Sequence, residues 1–98
     1  MKNPISDVVE QIIKMVDVEK IILFSKKIDL NGEISSFKIC IITHGNDVYE
    51  YEKKIYIDVE SEIPFDIVLY SSENWNKYLS EEGSFCNKVI SSGSVIYG

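Results

Sequence analysis

The stretch from Lys20 to Ile42, KIILFSKKIDLNGEISSFKICII, constrains the fold more than any other part of the chain. Two apolar runs, Ile21–Phe24 and Ile39–Ile42, flank a polar segment that contains Asn31-Gly32. Asn-Gly between two alternating runs is a strong tight-turn signal, because both residues tolerate the positive φ that short hairpin turns require. The spacing therefore predicts a β-hairpin over residues 20–43. Successive strand side chains point to opposite faces, so Phe37, Ile39 and Ile41 share one face and Lys38, Cys40 and Ile42 the other.

The remaining elements follow from periodicity and punctuation. Ile5, Val8, Val9, Ile12, Ile13 and Val16 recur at helical spacing ahead of the hairpin. Pro4 suits the first helical turn and Asn3 suits the cap. After the loop His44–Asp47, Tyr51, Ile55 and Val59 fit a helix, while Ile55, Ile57 and Val59 also fit a strand. Pro64 ends that element, because proline disfavours a helical residue before it. Phe65–Tyr70 reads as a strand, and Ser72 as the cap of a short helix through Trp75 and Leu79. Gly83-Ser84 starts another helix, with Phe85, Val89 and Ile90 inward, and Gly93 stops it. The order α-β-β-α-β-α-α predicts an α/β fold in which helices pack on a small mixed β-sheet. A right-handed crossover would set Phe65–Tyr70 parallel to Phe37–Ile42.

Ninety-eight residues suit a single domain spanning 1–98. The net charge of −6 argues against nucleic acid as a partner, since phosphate-backbone affinity rests on clustered Lys and Arg. The basic doublets Lys26-Lys27 and Lys53-Lys54 are too small for such a footprint. No run approaches the roughly 18 apolar residues of a membrane span. Met1-Lys2-Asn3-Pro4 leads into an amphipathic stretch and not an apolar leader, so a cytoplasmic protein without membrane contact is expected. Cys40 and Cys86 lie far apart in sequence among apolar neighbours and read as buried thiols. Nothing completes a zinc set around the lone His44.

Residues 20–42, followed by EIPFDIVLYSSENW and SFCNKVISSGSVIYG, resemble a minimal nucleotidyltransferase domain of the DNA polymerase beta-like superfamily. In that family a strand ends in Phe-Gly-Ser, a loop follows, and Ser-Asp-x-Asp opens a second apolar strand. Aligned without a gap, the Gly-Ser pair becomes Ser25 and Lys26, and the two aspartates become Ser36 and Lys38. Asp66 stands where the third carboxylate would be and is the only one retained. The resemblance implies a site in which three carboxylates hold two magnesium ions that bridge nucleotide phosphates. Ser36 offers one neutral oxygen, and Lys38 places a cation where a dication should bind. No catalytic residue, metal or cofactor is therefore expected. Across adjacent strands Lys38 and Asp66 either pair in the vacated site or are solvated independently.

The resemblance thus implies a catalytically degenerate domain that serves as a protein-interaction or regulatory module. Minimal domains of this family are often the antitoxin halves of toxin–antitoxin pairs, so the implied partner is a small helical HEPN-type protein, with self-association a further option. The alternative is an active or nucleotide-binding nucleotidyltransferase that uses magnesium and Asp66 with ligands displaced to Asp29, Glu33 or Asp47. Binding without catalysis would rest on Lys26 or Lys27. Other residues have simpler readings: Asp29 as a turn former, His44 as a solvated loop residue and Trp75 as a packing anchor. Tyr51 reads as core and Tyr49 and Tyr56 as half-exposed, while Glu50, Glu52, Glu60 and Glu62 read as a solvated acidic face.

Overall fold

The computed structural model describes residues 3–98, so Met1 and Lys2, at the head of the segment expected to lack an apolar leader, lie outside the described residues. The elements are α1 (Pro4–Met15), β1 (Val18–Ile28), β2 (Ile34–Thr43), α2 (Val48–Asp58), β3 (Phe65–Ser71), α3 (Ser72–Leu79), α4 (Phe85–Ser92) and β4 (Ser94–Tyr97). They form a four-stranded mixed sheet of order β3-β2-β1-β4. β1 pairs antiparallel with β2 and β4, and β2 pairs parallel with β3 across the α2 connection.

The hairpin forms, and its tight turn is a three-residue loop. The Asp29 N–H donates to the Glu33 carbonyl at 2.8 Å, enclosing Leu30, Asn31 and Gly32. The Gly32 N–H donates back to the Asp29 carbonyl at 3.1 Å, and Gly32 has φ 81°. This is a type I turn closed by a left-handed residue, so glycine alone carries the positive φ. The Asp29 carboxylate accepts from the N–H groups of Asn31 and Glu33 at 2.8 and 3.0 Å, fixing the tip as a turn former should.

β2 is buried on both faces, which dictates the layers. On one face Phe37, Ile39 and Ile41 pack with Ile21 and Ile67 under Ile5, Val8, Val9 and Ile12 of α1 and Ile55 of α2. On the other, Cys40, Ile42 and Ile22 pack under Trp75 of α3 and Cys86 and Val89 of α4. Each fully buried aliphatic side chain contributes about 1.5–3 kcal/mol before the entropy of ordering is charged against it. Asn3 caps α1, its Oδ1 accepting from the Ile5 N–H at 2.8 Å. Residues 48–58 adopt the helical alternative, with Ile55 buried, Tyr51 half-buried against the core and Ile57 turned to solvent. Tyr56 is exposed, yet its hydroxyl accepts from the Ile67 N–H of edge strand β3 at 3.3 Å. No helix among the described residues is long and apolar enough to cross a membrane.

Several local expectations are corrected. Of Phe85, Val89 and Ile90, read as inward on α4, only Val89 is buried, and Phe85 and Ile90 are exposed. Ser71, not Ser72, caps α3, its side chain accepting from the Asn74 N–H at 3.2 Å. α2 ends at Asp58, six residues before Pro64, so the proline does not terminate it. Residues 94–97, beyond the last element of the expected α-β-β-α-β-α-α order, form a fourth strand against β1. Gly93 makes that docking possible. A Cβ there would lie 2.6 Å from the Val89 carbonyl oxygen, 2.7 Å from Ile22 Cγ2 and 2.9 Å from the Leu23 carbonyl oxygen. The backbone at this corner touches both the end of α4 and the face of β1, leaving no room for a methyl group. Gly93→Ala is expected to destabilise the protein by about 1–3 kcal/mol, the usual range for overpacking. Denaturant unfolding measures it, and an unchanged midpoint would show that β4 does not dock this closely.

Candidate functional site

Strand pairing alone brings Ser25, Lys38 and Asp66, three of the positions singled out in the sequence, together. In the parallel pair Lys38 lies opposite Asp66, one step after Phe37 opposite Phe65. In the antiparallel pair Leu23 faces Ile39 and Ser25 faces Lys38, so Phe24 is one extra residue on β1. This bulge puts Ser25, Lys38 and Asp66 in one row across three strands, about 10 Å from end to end at the usual strand spacing. Two rows on, and hence on the same face, Lys27 stands opposite Ser36. Together with Phe37, Pro64 and Phe65 these residues line an open cleft of 280 Å³. α3 and α4 cover the same sheet face further along, over Cys40 and Ile42, and leave this end open.

Lys26 does not join the cleft. It lines a separate groove with Asn3, Ile5, Ser6 and Glu10 at the start of α1. Ser25 and Lys26 both lie inside β1, which runs on to Ile28. Where the resembled family bends its chain at Gly-Ser to bring backbone N–H groups onto phosphates, this chain continues as strand. No non-glycine residue among those described has a positive φ.

The donors in the cleft do not fit magnesium. They are one carboxylate, Asp66, two hydroxyls, Ser25 and Ser36, and two ammonium groups, Lys27 and Lys38. Magnesium asks for several oxygen ligands with carboxylates among them. A charge of +1 about 5 Å from a dication repels it by about 2 kcal/mol at the dielectric constant of water and by about 7 kcal/mol at an effective value of 20. The lone carboxylate attracts by the same order, so the adjacent lysine cancels what Asp66 offers. The other acids stand elsewhere. Asp29 and Glu33 are at the hairpin tip, where one Asp29 oxygen already takes two N–H groups. Asp47 follows the far end of β2, beyond the Thr43–Ser71 pair. That pair lies five residues, roughly 17 Å, along the strands from Lys38 and Asp66. Among the described residues no three His, Cys, Asp or Glu side chains converge as a metal group.

Lys38 and Asp66 are therefore strand neighbours, as the sequence suggests, but their exposed side chains make no ion pair with each other. Of the two arrangements left open, the structure takes independent solvation. His44 is an exposed loop residue, and its backbone N–H donates to the Asp17 carbonyl at 3.1 Å.

The thiols belong to the covered part of the same face. Cys40 and Cys86, 46 positions apart in sequence, share one core cluster, and both are free. Burial pushes the Cys40 thiol up to about 12, and the neighbouring Cys86 adds to the shift. Burial also raises Cys86, partly offset by its hydrogen bond with the Tyr70 hydroxyl. Tyr70 rises to about 12 in turn, through burial first and then through Cys86. Neither thiol is a thiolate at neutral pH, so neither is an activated nucleophile. Sequence reasoning missed the aromatic grouping around them. Tyr70 lies 5.8 Å from Trp75 and 6.0 Å from Tyr78, and Phe24 meets Phe85 at 5.6 Å, ring centre to ring centre. Tyr78 and Phe85 flank the α3–α4 turn, and only the tertiary fold brings them to Tyr70 and Phe24.

A double-mutant cycle on Lys38→Ala and Asp66→Ala should give additive effects on stability, with a coupling below about 0.5 kcal/mol, as for solvated charges. A coupling well above that would restore the ion pair as the filler of the cleft. Compared with protein-family models, curated proteins and solved structures, the chain matches none.

Proposed function

We propose that this chain is a catalytically degenerate nucleotidyltransferase-like domain that works as a protein-interaction or regulatory module, in the manner of an antitoxin paired with a small helical HEPN-type protein. The observation that carries the reading is the row Ser25, Lys38, Asp66. Register sets an ammonium beside the single carboxylate at the point where the resembled family gathers its metal ligands. The continuation of β1 as paired strand through Ser25 and Lys26 supports it further, since the phosphate-cradling turn has no counterpart there. The net charge of −6 suits a basic protein partner, because complementary potentials steer encounter and set specificity. Tyr78, Phe85 and Ile90 remain exposed on the α3–α4 side and offer apolar area for such a contact.

The alternative of a nucleotide-binding enzyme makes an opposite prediction about ligands. A ligand that binds only the folded state raises stability by RT ln(1 + [L]/Kd), so millimolar nucleotide reveals any site with submillimolar affinity. Thermal unfolding with ATP, CTP, GTP or UTP, each with and without magnesium, is expected to show no shift in Tm. A magnesium-dependent rise of several degrees with any one of them would overturn the proposal and assign the cleft to nucleotide.

A further inference from the structure

On the face covered by α3 and α4, Tyr70, Tyr78, Ser84, Phe85 and Cys86 line an open pocket of 290 Å³. Its walls are aromatic. Tyr78, in the last turn of α3, is 37% exposed, and Phe85, the first residue of α4, is 43% exposed. Tyr70 closes the pocket from β3, edge-on to Tyr78 at 65°. Phe24 holds the Phe85 ring in place from β1, edge-on at 89°.

The rim is acidic and closely hydrogen-bonded. It is the α3–α4 turn, which carries Glu81 and Glu82, both exposed. The Ser84 hydroxyl donates to the Tyr78 carbonyl at 2.7 Å, and the Ser84 N–H donates to the Glu81 carbonyl at 3.2 Å. The Asn87 side-chain amide donates to the carbonyls of Leu79 and Glu81 at 2.8 and 2.6 Å. Four side-chain and backbone bonds thus staple the turn that presents Glu81 beside the pocket. The negative charge of Glu81 reaches the floor, where it adds to the burial that raises the Cys86 thiol. The Lys77 ammonium lies 6.0 Å from the centre of the Tyr78 ring and is a like charge that an incoming cation displaces to reach that ring.

We infer that this pocket receives an arginine side chain of the partner protein, with the guanidinium against the rings of Tyr78 and Phe85 and Glu81 as its counter-charge. The inference rests on the interaction-module reading and specifies the partner's chemistry. Ring faces carry the negative end of the aromatic quadrupole, so they attract cations that an aliphatic wall would not. Guanidinium is planar and weakly hydrated, stacks on aromatic faces and still forks onto a carboxylate, which suits these walls better than ammonium does. The chain's net charge of −6 favours a basic visitor over an acidic one.

The test titrates an end-blocked tetra-arginine peptide into the full chain. Binding is followed by backbone amide shifts and by the emission of Trp75, the only tryptophan, whose ring lies 5.8 Å from Tyr70. Saturable shifts confined to Tyr70 and residues 78–87 are expected. Glu81→Gln and Tyr78→Leu should each weaken binding about three- to tenfold, Tyr78→Phe should bind as the wild type does, and Glu52→Gln on the distant α2 should have little effect. Equal losses for Glu81→Gln and Glu52→Gln would mean diffuse attraction and overturn the inference. So would undiminished binding by Tyr78→Leu, preferential binding of acetyl-leucine amide at the same amides, or no shift at all. None of these outcomes touches the interaction-module reading, whose failure shows instead as a nucleotide-dependent rise in Tm.

Discussion

The fold depends on β2 being apolar on both faces. Between Phe37 and Thr43 every residue except Lys38 is buried, and no single layer can cover such a strand. α1 and α2 take one face, α3 and α4 the other, while β1 and β3 satisfy the strand's hydrogen bonds on both sides. The candidate site is a consequence. Lys38 lies where β2 emerges from under α3 and α4, so the first residue outside that cover meets the first residues of β1 and β3 that are also outside it. A cleft at this position needs no special device beyond two short helices that stop before the end of the sheet.

Much of this was legible because it rests on local rules. The alternation in Phe37–Ile42 assigned residues to the correct faces, the stripe from Ile5 to Ile12 gave α1, and the βαβ rule gave the parallel direction of β3, while the observed register sets Lys38 beside Asp66. What was not legible depended on contacts without local signature. Ser94–Tyr97 is four residues long, and only the close approach of Gly93 to Ile22 and Leu23 makes it a strand. Asn31-Gly32 marked a tight turn without fixing its length, and the Asp29 carboxylate, by capturing two N–H groups, stabilises a three-residue loop. The bulge at Phe24 is likewise invisible in composition. It decides that Ser25 shares a row with Lys38 and that Phe24 reaches Phe85. Cys40 and Cys86 read correctly as buried, but nothing in their spacing showed that they share one cluster with Tyr70.

The two recesses on this face have opposite chemical character. The cleft collects Lys27 and Lys38 against a single Asp66, whereas the other recess is lined by Tyr70, Tyr78 and Phe85 next to the turn that carries Glu81 and Glu82. They lie along the same strand, because Asp66, Val68 and Tyr70 alternate onto one face of β3, and Tyr70 is about 13 Å from Asp66 at strand rise. A partner that reaches both would have to present acidic groups to one and basic groups to the other. Such a pattern restricts partners more than net charge alone does, since a misplaced like charge costs affinity. The thiols beneath remain protonated and apolar, and act as packing between the sheet and α4.

We propose that the strand framework around Lys38 and Asp66 is that of a metal-binding site whose ligands have been replaced. Manganese is the direct probe, because a bound paramagnetic ion broadens amide resonances near it. Wild-type protein and the double variant Ser36→Asp, Lys38→Asp are compared under the same titration. The account predicts no site-specific broadening in the wild type, and saturable broadening around residues 36–38 and Asp66 once both carboxylates are supplied. Broadening at Asp66 in the wild type, or none in the variant while its fold is intact, would contradict it.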